Sequence, residues 1–491
     1  MKRTLLALFI AVLMFRTCST TLLAQGMEGS KSVPLSKVVR LNRAPVNKEI
    51  LRVKLPRPRE TKLDNGLDVL VLERHKLPTV AFMLWIKTGA LEDPRDLPGL
   101  AKFTADMLRE GTTHRSSAQL AKDVDDIGAS LDASASFGSN ASSVTASGLV
   151  ESTDRILELM SDVVLNPTFP EEELTKYKKR QLAGLQQMRS EPSFLARERF
   201  YSVLYGNFPA SEVATTPASV NKVTREDLVR FHSEYYAPNH AILGVVGDID
   251  YNSIVPLIKK YFGGWKKQPV SNFKLPPLPK PAAAKVVLVD RADSVQTNII
   301  AGDYALRRND PNYIPLWVTN HILGGGAASR LFLDLREEKG LTYGAYSYFR
   351  SDLYPGPWMA TTEVRTQVTD RSMEALMDEF KKIRNEDVPE KELDEARRAI
   401  VASFALSLER PTTLLHAWLT VDYYNLPQDY WDNYPEQVAK VTPQVVREMA
   451  NKYIDLDHLQ VVCVGNGKNI KDALKKYGPL EVYDTNGKRI E

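Results

Sequence analysis

The segment Val223–Asp248, VTREDLVRFHSEYYAPNHAILGVVGD, indicates the architecture, because a second copy of its pattern begins at Val441. That copy, VTPQVVREMANKYIDLDHLQVVCVGN, aligns with it without a gap at an offset of 218 residues. In both copies a helical stretch precedes an apolar run that is typical of a buried strand. The coincident residues include Tyr235/Tyr453, His240/His458 and Gly247/Gly465. The chain therefore contains a duplicated helix–strand unit.

A second pair of segments repeats at nearly the same distance. Phe169–Pro192 and Val388–Pro411 match at an offset of 219 residues. A near-constant offset across separate elements indicates duplication into two similar domains of about 200 residues each. The Pro-rich segment Gln268–Lys285 separates them and has the composition of an extended, semi-stiff linker.

Strands and helices alternate in the same order in both halves. The predicted strands are 67–73, 79–89 and 242–248 in the first half and 284–290, 297–306 and 460–466 in the second. The clearest predicted helices are Glu171–Arg189 and Glu390–Leu408. This order predicts an α+β fold of two homologous domains, each a mainly antiparallel sheet with helices packed on one face.

The N-terminus has the pattern of a secretory signal peptide. Two basic residues precede an apolar run from Leu5 to Phe15, which is too short to span a membrane. We therefore expect a secreted or periplasmic protein with no transmembrane segment. Lipoprotein anchoring through Cys18 is less favoured, because Arg16 lies where a small residue is needed.

The resulting organisation has five parts. They are a signal peptide (1–24), a flexible leader (25–50), an N-terminal domain (51–267), the linker (268–285) and a C-terminal domain (286–491). Removing residues 1–24 would change the formal net charge from +3 to 0, which gives no electrostatic reason to expect nucleic-acid binding. Only Cys463 would remain, in an apolar run typical of an inert core thiol.

The first half also contains Gly99–Thr112, GLAKFTADMLREGT. Pro98 and Gly99 interrupt the preceding segment, and the residues from Leu100 to Arg109 include neither Gly nor Pro, so a short helix is expected. Residues 102 and 106 would share one face of it.

The frame Gly-Leu-Ala-x-Phe followed by Met-Leu-x-x-Gly-Thr resembles the pitrilysin/insulinase family of inverted zincins, which includes the mitochondrial processing peptidases. In that family the helix carries H-x-x-E-H, in which two imidazoles bind Zn²⁺ and the carboxylate is the general base. Lys102, Ala105 and Asp106 stand at these three positions. An ammonium group has no lone pair to donate, and alanine cannot accept a proton.

The resemblance also implies a third ligand, a glutamate on a downstream helix. Counting back from Pro192 places Gly184 at its position. A catalytic zinc site needs about three protein ligands, and only Asp106 remains as an oxygen donor. We therefore expect no zinc in this chain. An unrecognised metal site is disfavoured, because the seven histidines form no H-x-x-E-H, H-E-x-x-H or H-x-H.

The segment Asn320–Phe349 resembles the family's C-terminal substrate-binding element, in which an Arg and a Tyr seven residues apart hydrogen-bond the peptide backbone. The matching residues are Arg336 and Tyr343. Their donors could orient a carbonyl and stabilise an oxyanion without a metal. In the alternative interpretation, Arg336 pairs with Glu337 or Glu338 and Tyr343 packs within a strand.

Gly324, Gly325 and Gly326 precede these residues. Processing peptidases are similar in carrying a glycine-rich loop in their non-zinc subunit. A helix C-cap would explain at least one of the three glycines equally well.

Three functions follow from the resemblance. In the first, the chain is a pseudoenzyme: the non-zinc, substrate-binding subunit of a heterodimeric zinc metallopeptidase, with a homologous partner that supplies H-x-x-E-H and zinc, and with peptides or unfolded polypeptides as substrates. The second is a non-catalytic structural or scaffold homologue. The third is an active metalloendopeptidase with an unrecognised metal site.

Overall fold

The structure, a computed structural model, describes residues 53–270 and 273–491. The predicted signal peptide (1–24), the leader (25–50) and Cys18 lie outside the described residues. The domain boundaries at residues 267 and 286 stay predictions. Within the described ranges, no helix is both long and apolar enough to cross a membrane.

The first half contains a six-stranded sheet with the strand order β1-β2-β6-β3-β5-β4. Its strands are β1 (Arg59–Lys62), β2 (Asp68–Glu73), β3 (Thr79–Ile86), β4 (Ser130–Ala135), β5 (Ser142–Leu149) and β6 (Ala241–Gly247). Strands β2 and β6 are parallel, and the other neighbouring pairs are antiparallel. Strands β2, β3 and β6 lie on the predicted apolar runs.

The second half contains a six-stranded sheet with the strand order β12-β7-β11-β8-β10-β9. Its strands are β7 (Lys285–Asp290), β8 (Gln296–Tyr304), β9 (Thr342–Phe349), β10 (Pro357–Arg365), β11 (Gln460–Gly465) and β12 (Leu480–Tyr483). Five strands take the same positions as in the first sheet. The sixth differs, since β1 forms an antiparallel pair with β2 whereas β12 pairs in parallel with β7.

The helices connect these strands. They are α1 (Leu100–Met107), α2 (Ser117–Asp125), α3 (Thr153–Leu165), α4 (Glu171–Ser190), α5 (Pro192–Tyr205), α6 (Pro217–Lys222), α7 (Arg225–Tyr235), α8 (Tyr251–Phe262), α9 (Tyr313–Gly324), α10 (Arg330–Phe332), α11 (Thr369–Asn385), α12 (Glu390–Ser407), α13 (Pro411–Tyr423), α14 (Tyr430–Ala439), α15 (Pro443–Tyr453) and α16 (Gly467–Leu474). The two long predicted helices, α4 and α12, end within one residue of their predicted limits. The α+β class and the duplication are confirmed.

Each sheet buries its second face against a helix of the other half. Helix α5 lies on the second sheet, and α13 lies on the first. Along β6, Leu243 and Val245 pack into the core of their own half, whereas Ile242 and Val246 pack in the same cluster as α13. This alternation follows from the two-residue period of a strand. Burial on both faces explains why β6 and β11 are almost continuously apolar.

Cys463 lies on β11 and is fully buried. Burial raises the pKa of its thiol to about 12. The thiol therefore stays protonated near neutral pH and has the character of a core side chain, as the sequence predicted.

Two glycines allow α13 to approach the first sheet closely and α5 to approach the second. A Cβ added at Gly244 on β6 would lie 2.8 Å from Leu415 Cδ1 on α13. A Cβ added at Gly302 on β8 would lie 2.9 Å from Phe200 Cζ on α5 and 2.1 Å from the carbonyl oxygen of Trp358 on β10. Both contacting side chains are fully buried, so neither has free space to move into.

We expect Gly302→Ala to lower the free energy of unfolding by about 1–3 kcal/mol, because its new methyl group would overpack the core and collide with the main chain of β10. Gly184→Ala is the matched control, since a Cβ there meets nothing within 4 Å. That change should stabilise helix α4 by about 1 kcal/mol. Equilibrium unfolding in urea measures both, and a Gly302→Ala variant as stable as wild type would contradict the close packing.

Candidate metal-position helix and substrate-binding residues

Helix α1 forms where the sequence predicts it, and a buried carboxylate caps its start. Gly99 precedes the helix with φ of +96°, and its N–H donates to Asp93 Oδ2 at 2.7 Å. The N–H of Ala101 donates to Asp93 Oδ1 at 2.8 Å. Burial raises the pKa of Asp93 to about 7. Sequence analysis missed this cap, because Asp93 lies six residues before the helix-breaking glycine.

The side chains at the family's two histidine positions form an ion pair with each other. Lys102 Nζ lies 2.6 Å from Asp106 Oδ2, so residues 102 and 106 do share one face of the helix. The Tyr177 hydroxyl on α4 donates to the same carboxylate oxygen. Burial and the nearby Asp106 charge raise the pKa of Tyr177 far above its ordinary value, which keeps it a donor. Two donors thus share one oxygen of Asp106, the only carboxylate among the residues at the family's ligand positions.

Gly184 lies on α4, seven residues after Tyr177 and therefore on the same helical face. A Cβ at Gly184 would meet nothing within 4 Å. Ala105 is fully buried. The residues at the family's ligand positions do not fit a zinc ion, since they offer one carboxylate whose neighbour is a cation. No group of three or more His, Cys, Asp or Glu side chains in the described part of the chain could hold a metal.

Helix α9 ends at the three glycines, and Gly324 lies against the edge strand β9. A Cβ at Gly324 would lie 2.2 Å from the amide nitrogen of Ser347, and one at Gly325 would lie 2.6 Å from His321 Cα. Gly325 is the C-cap residue and has a right-handed φ of −75°. Close packing, not a left-handed cap, therefore accounts for Gly324 and Gly325. Gly326 has open space around it.

Arg336 lies on a π-helix, Leu333–Glu338, that continues α10. Its guanidinium carbon lies 4.7 Å from the centroid of the Phe332 ring, and its Nε lies 3.3 Å from Glu337 Oε1. The pairing with Glu337 that the alternative interpretation expected is therefore present. The side chain is nevertheless 44% exposed. Short π-helical segments occur frequently at functional sites.

Tyr343 lies on a β-bulge of the edge strand β9. Ala345 pairs with Thr362 and Thr342 pairs with Val364, so Tyr343 and Gly344 together oppose one residue of β10. A bulge changes the direction of a side chain, and Tyr343 is 88% exposed. It does not pack within the sheet as the alternative interpretation expected.

Two threonines hold the bulge in place. Thr342 Oγ1 accepts the N–H of Gly344 at 3.1 Å and donates to the carbonyl oxygen of Glu363 at 2.6 Å. Thr362 Oγ1 donates to the carbonyl oxygen of Gly344 at 3.0 Å. Sequence analysis missed both residues, because the bulge depends on the register between β9 and β10.

The structure brings Arg336 and Tyr343 to the same end of the second sheet. The N–H of Leu341 donates to the carbonyl oxygen of Leu335 at 2.8 Å, which joins the start of β9 to the π-helix. Lys102 and Asp106 belong to the first half. No hydrogen bond or ion pair between described residues links those two to Arg336 or Tyr343.

The chain belongs to the peptidase M16 family. Residues 69–217 match the insulinase (peptidase family M16) domain, and residues 222–400 match the peptidase M16 inactive domain. The resemblance to the pitrilysin/insulinase family is therefore confirmed.

Several relatives align with most of this chain at about a quarter sequence identity. An uncharacterised zinc protease of Bacillus subtilis, YmxG, is 27% identical over 70% of this chain and 83% of its own length. The peptidase M16 inactive domain of Pseudomonas fluorescens superposes with a TM-score of 0.77 at 26% identity, covering 84% of this chain and 98% of that one. A Helicobacter pylori protease has the same TM-score of 0.77 at 20% identity, which shows the shared fold.

Thr342→Val should loosen the bulge, because valine keeps the shape of threonine but removes all hydrogen bonds of its hydroxyl, including those to Gly344 and Glu363. Losing about 1 kcal/mol of hydrogen bonding should speed amide exchange at Gly344 by about fivefold. Thr361→Val on the neighbouring strand is the control and should leave that rate unchanged. Hydrogen exchange followed by mass spectrometry measures both, and equal protection in the two variants would refute the role of Thr342.

Proposed function

We propose that this chain is the non-zinc, substrate-binding subunit of a heteromeric zinc metallopeptidase that acts on peptides or unfolded polypeptides. One contrast carries the proposal. The family's ligand positions hold a hydrogen-bonded group of Lys102, Asp106 and Tyr177, whereas Arg336 and Tyr343 remain exposed. A homologous partner with H-x-x-E-H would supply the zinc and the activated water. The predicted signal peptide supports a secreted or periplasmic complex.

Arg336 and Tyr343 would act as hydrogen-bond donors to the peptide. The guanidinium offers five N–H donors and the phenol one O–H donor. Directed at a carbonyl oxygen, such donors orient the peptide and stabilise the oxyanion that develops on it. Only its Nε lies near Glu337, at 3.3 Å from Oε1, so a peptide can use the other N–H groups or displace this pair. An exposed pair is worth only about 0.2–1 kcal/mol, so substrate binding can readily displace it.

The exposure of Tyr343 supports a second subunit. Donors stabilise a developing charge most strongly where water is excluded. A phenol that is 88% exposed has no such environment in the isolated chain. A partner that covers this end of the second sheet would exclude water and place the peptide between its own metal site and these donors.

A scaffold homologue is the second candidate, since the Lys102–Asp106 pair would serve a purely structural role equally well. The bulge in β9 favours substrate binding over a scaffold role. Hydrogen bonds of Thr342 and Thr362 hold this bulge, and the bulge leaves the Tyr343 side chain exposed.

Mixing this chain with an H-x-x-E-H-bearing homologue should raise cleavage of an unfolded peptide far above the rate of either chain alone. Arg336→Ala or Tyr343→Phe should lower kcat by about 10²–10³-fold, the usual cost of one oxyanion donor. Size-exclusion chromatography should show an intact complex in each case. Arg371→Ala, an exposed arginine on α11, is the control.

Unchanged rates in the Arg336 and Tyr343 variants would show that these residues do not orient substrate. A complex that assembles but cleaves nothing would favour the scaffold homologue.

A further inference from the structure

A cleft of about 800 Å³ lies at one end of the first sheet, beside the start of α13. We call it the α13 cleft. Its lining includes Arg74, Lys76, Leu77, Thr79, Leu149 and Glu409. Neither Arg336 nor Tyr343 lines it. The proposed function therefore leaves this cleft without a role.

The α13 cleft exists because the helix covers only part of the sheet face. Ser147, Ala81 and Val246 stand opposite one another on β5, β3 and β6, and this row forms the floor. Val246 packs in the same cluster as α13, so the floor belongs to the face that this helix covers. Helix α13 begins at Pro411, which itself lines the cleft. The sheet face beyond this proline is therefore accessible to a ligand.

The rim of the α13 cleft exposes aliphatic side chains. Leu149 on β5 pairs with Thr79 on β3 at this end of the sheet and is 45% exposed. Leu77, in the turn between β2 and β3, is 62% exposed. All apolar side chains of the lining are aliphatic, and the volume lies within the range of small-molecule sites. An aliphatic chain bound here would remove both leucines from water, which is favourable.

One side of the α13 cleft has two cations without ionic partners. Arg74 and Lys76 lie in the segment that follows β2. His75, between them in sequence, pairs with Asp248 at 2.8 Å. Among the described residues, neither Arg74 nor Lys76 forms an ion pair or a side-chain hydrogen bond. Glu409, on the α13 side, is the single carboxylate, so the lining has a formal charge of +1.

The duplication shows that this charge is particular to the first half. The equivalent cleft of the second half lies beside the start of α5, where Ser193 corresponds to Thr412, 219 residues later. Its charged lining residues are Glu191, Arg197 and Glu363, with a formal charge of −1. The positive charge of the α13 cleft is therefore not a consequence of the repeat.

We propose that the α13 cleft binds an amphipathic carboxylate, a straight aliphatic chain with one ionised carboxylate, as in a fatty acid. The carboxylate would pair with Arg74 and Lys76, and the chain would lie on the floor between Leu77 and Leu149. Glu409 would repel a second anionic group, which favours a monoanion. Such binding needs neither peptide cleavage nor a second subunit.

Isothermal titration calorimetry with the purified chain tests the proposal, and its probes are decanoate, octanoate and decylammonium below their micelle concentrations. Decanoate should bind about 15-fold more tightly than octanoate, because each buried methylene contributes about fourfold in affinity. Decylammonium has the same chain with the opposite charge. It should bind about tenfold more weakly than decanoate, since it loses two charge contacts.

The double variant Arg74→Gln/Lys76→Gln should weaken decanoate binding by about tenfold and remove the preference over decylammonium. Leu77→Ala should weaken both ligands by about fivefold, because it removes apolar contact with the chain. The control is Lys266→Gln/Lys267→Gln, which removes two exposed lysines outside the cleft and should change neither affinity.

Four results would each overturn the proposal. They are no decanoate binding at millimolar ligand, equal affinities for decanoate and octanoate, decylammonium binding as tight as that of decanoate, and decanoate affinity that is unchanged in the Arg74/Lys76 or Leu77 variants.

Discussion

Burial of each sheet against a helix of the opposite half is the interaction on which the remaining structure depends. Helix α5 begins directly after α4, which carries Tyr177 and Gly184, and it ends on the second sheet. The packing of α5 therefore fixes the end of α4 relative to the second sheet, whose edge strand β9 carries Tyr343. Separating the halves would expose an apolar face on both sheets, so we regard them as one cooperative unit.

The group of Lys102, Asp106 and Tyr177 shows how the fold persists without the family's metal ligands. The ammonium supplies a positive charge beside Asp106, and the phenol satisfies the same oxygen. The start of the helix is capped by Asp93, which is independent of any metal. The helix is therefore stable with these residues at the family's ligand positions, and the bulge leaves the Tyr343 hydroxyl exposed.

Sequence analysis predicted most elements because their signals are local. The apolar runs of β2, β6, β7 and β11, the long helices α4 and α12, and the repeat offset need only periodicity to be recognised. The packing of α5 and α13 on the sheet of the opposite half was not predicted, since the apolar residues of a helix do not reveal which sheet they cover. Tyr177 and the threonines at the bulge were missed for the same reason. Their roles depend on contacts between elements distant in sequence, and Arg336 and Tyr343 were found only through family resemblance.

Zinc stoichiometry of the purified chain is the most direct test of the central claim that this subunit has lost its metal and kept its substrate-binding residues. After incubation with excess Zn²⁺ and exhaustive dialysis, inductively coupled plasma mass spectrometry should find far less than one zinc per chain. A catalytic zinc site needs about three protein ligands, and the family's ligand positions here offer only Asp106. One zinc per chain, lost on Asp106→Ala, would contradict the account.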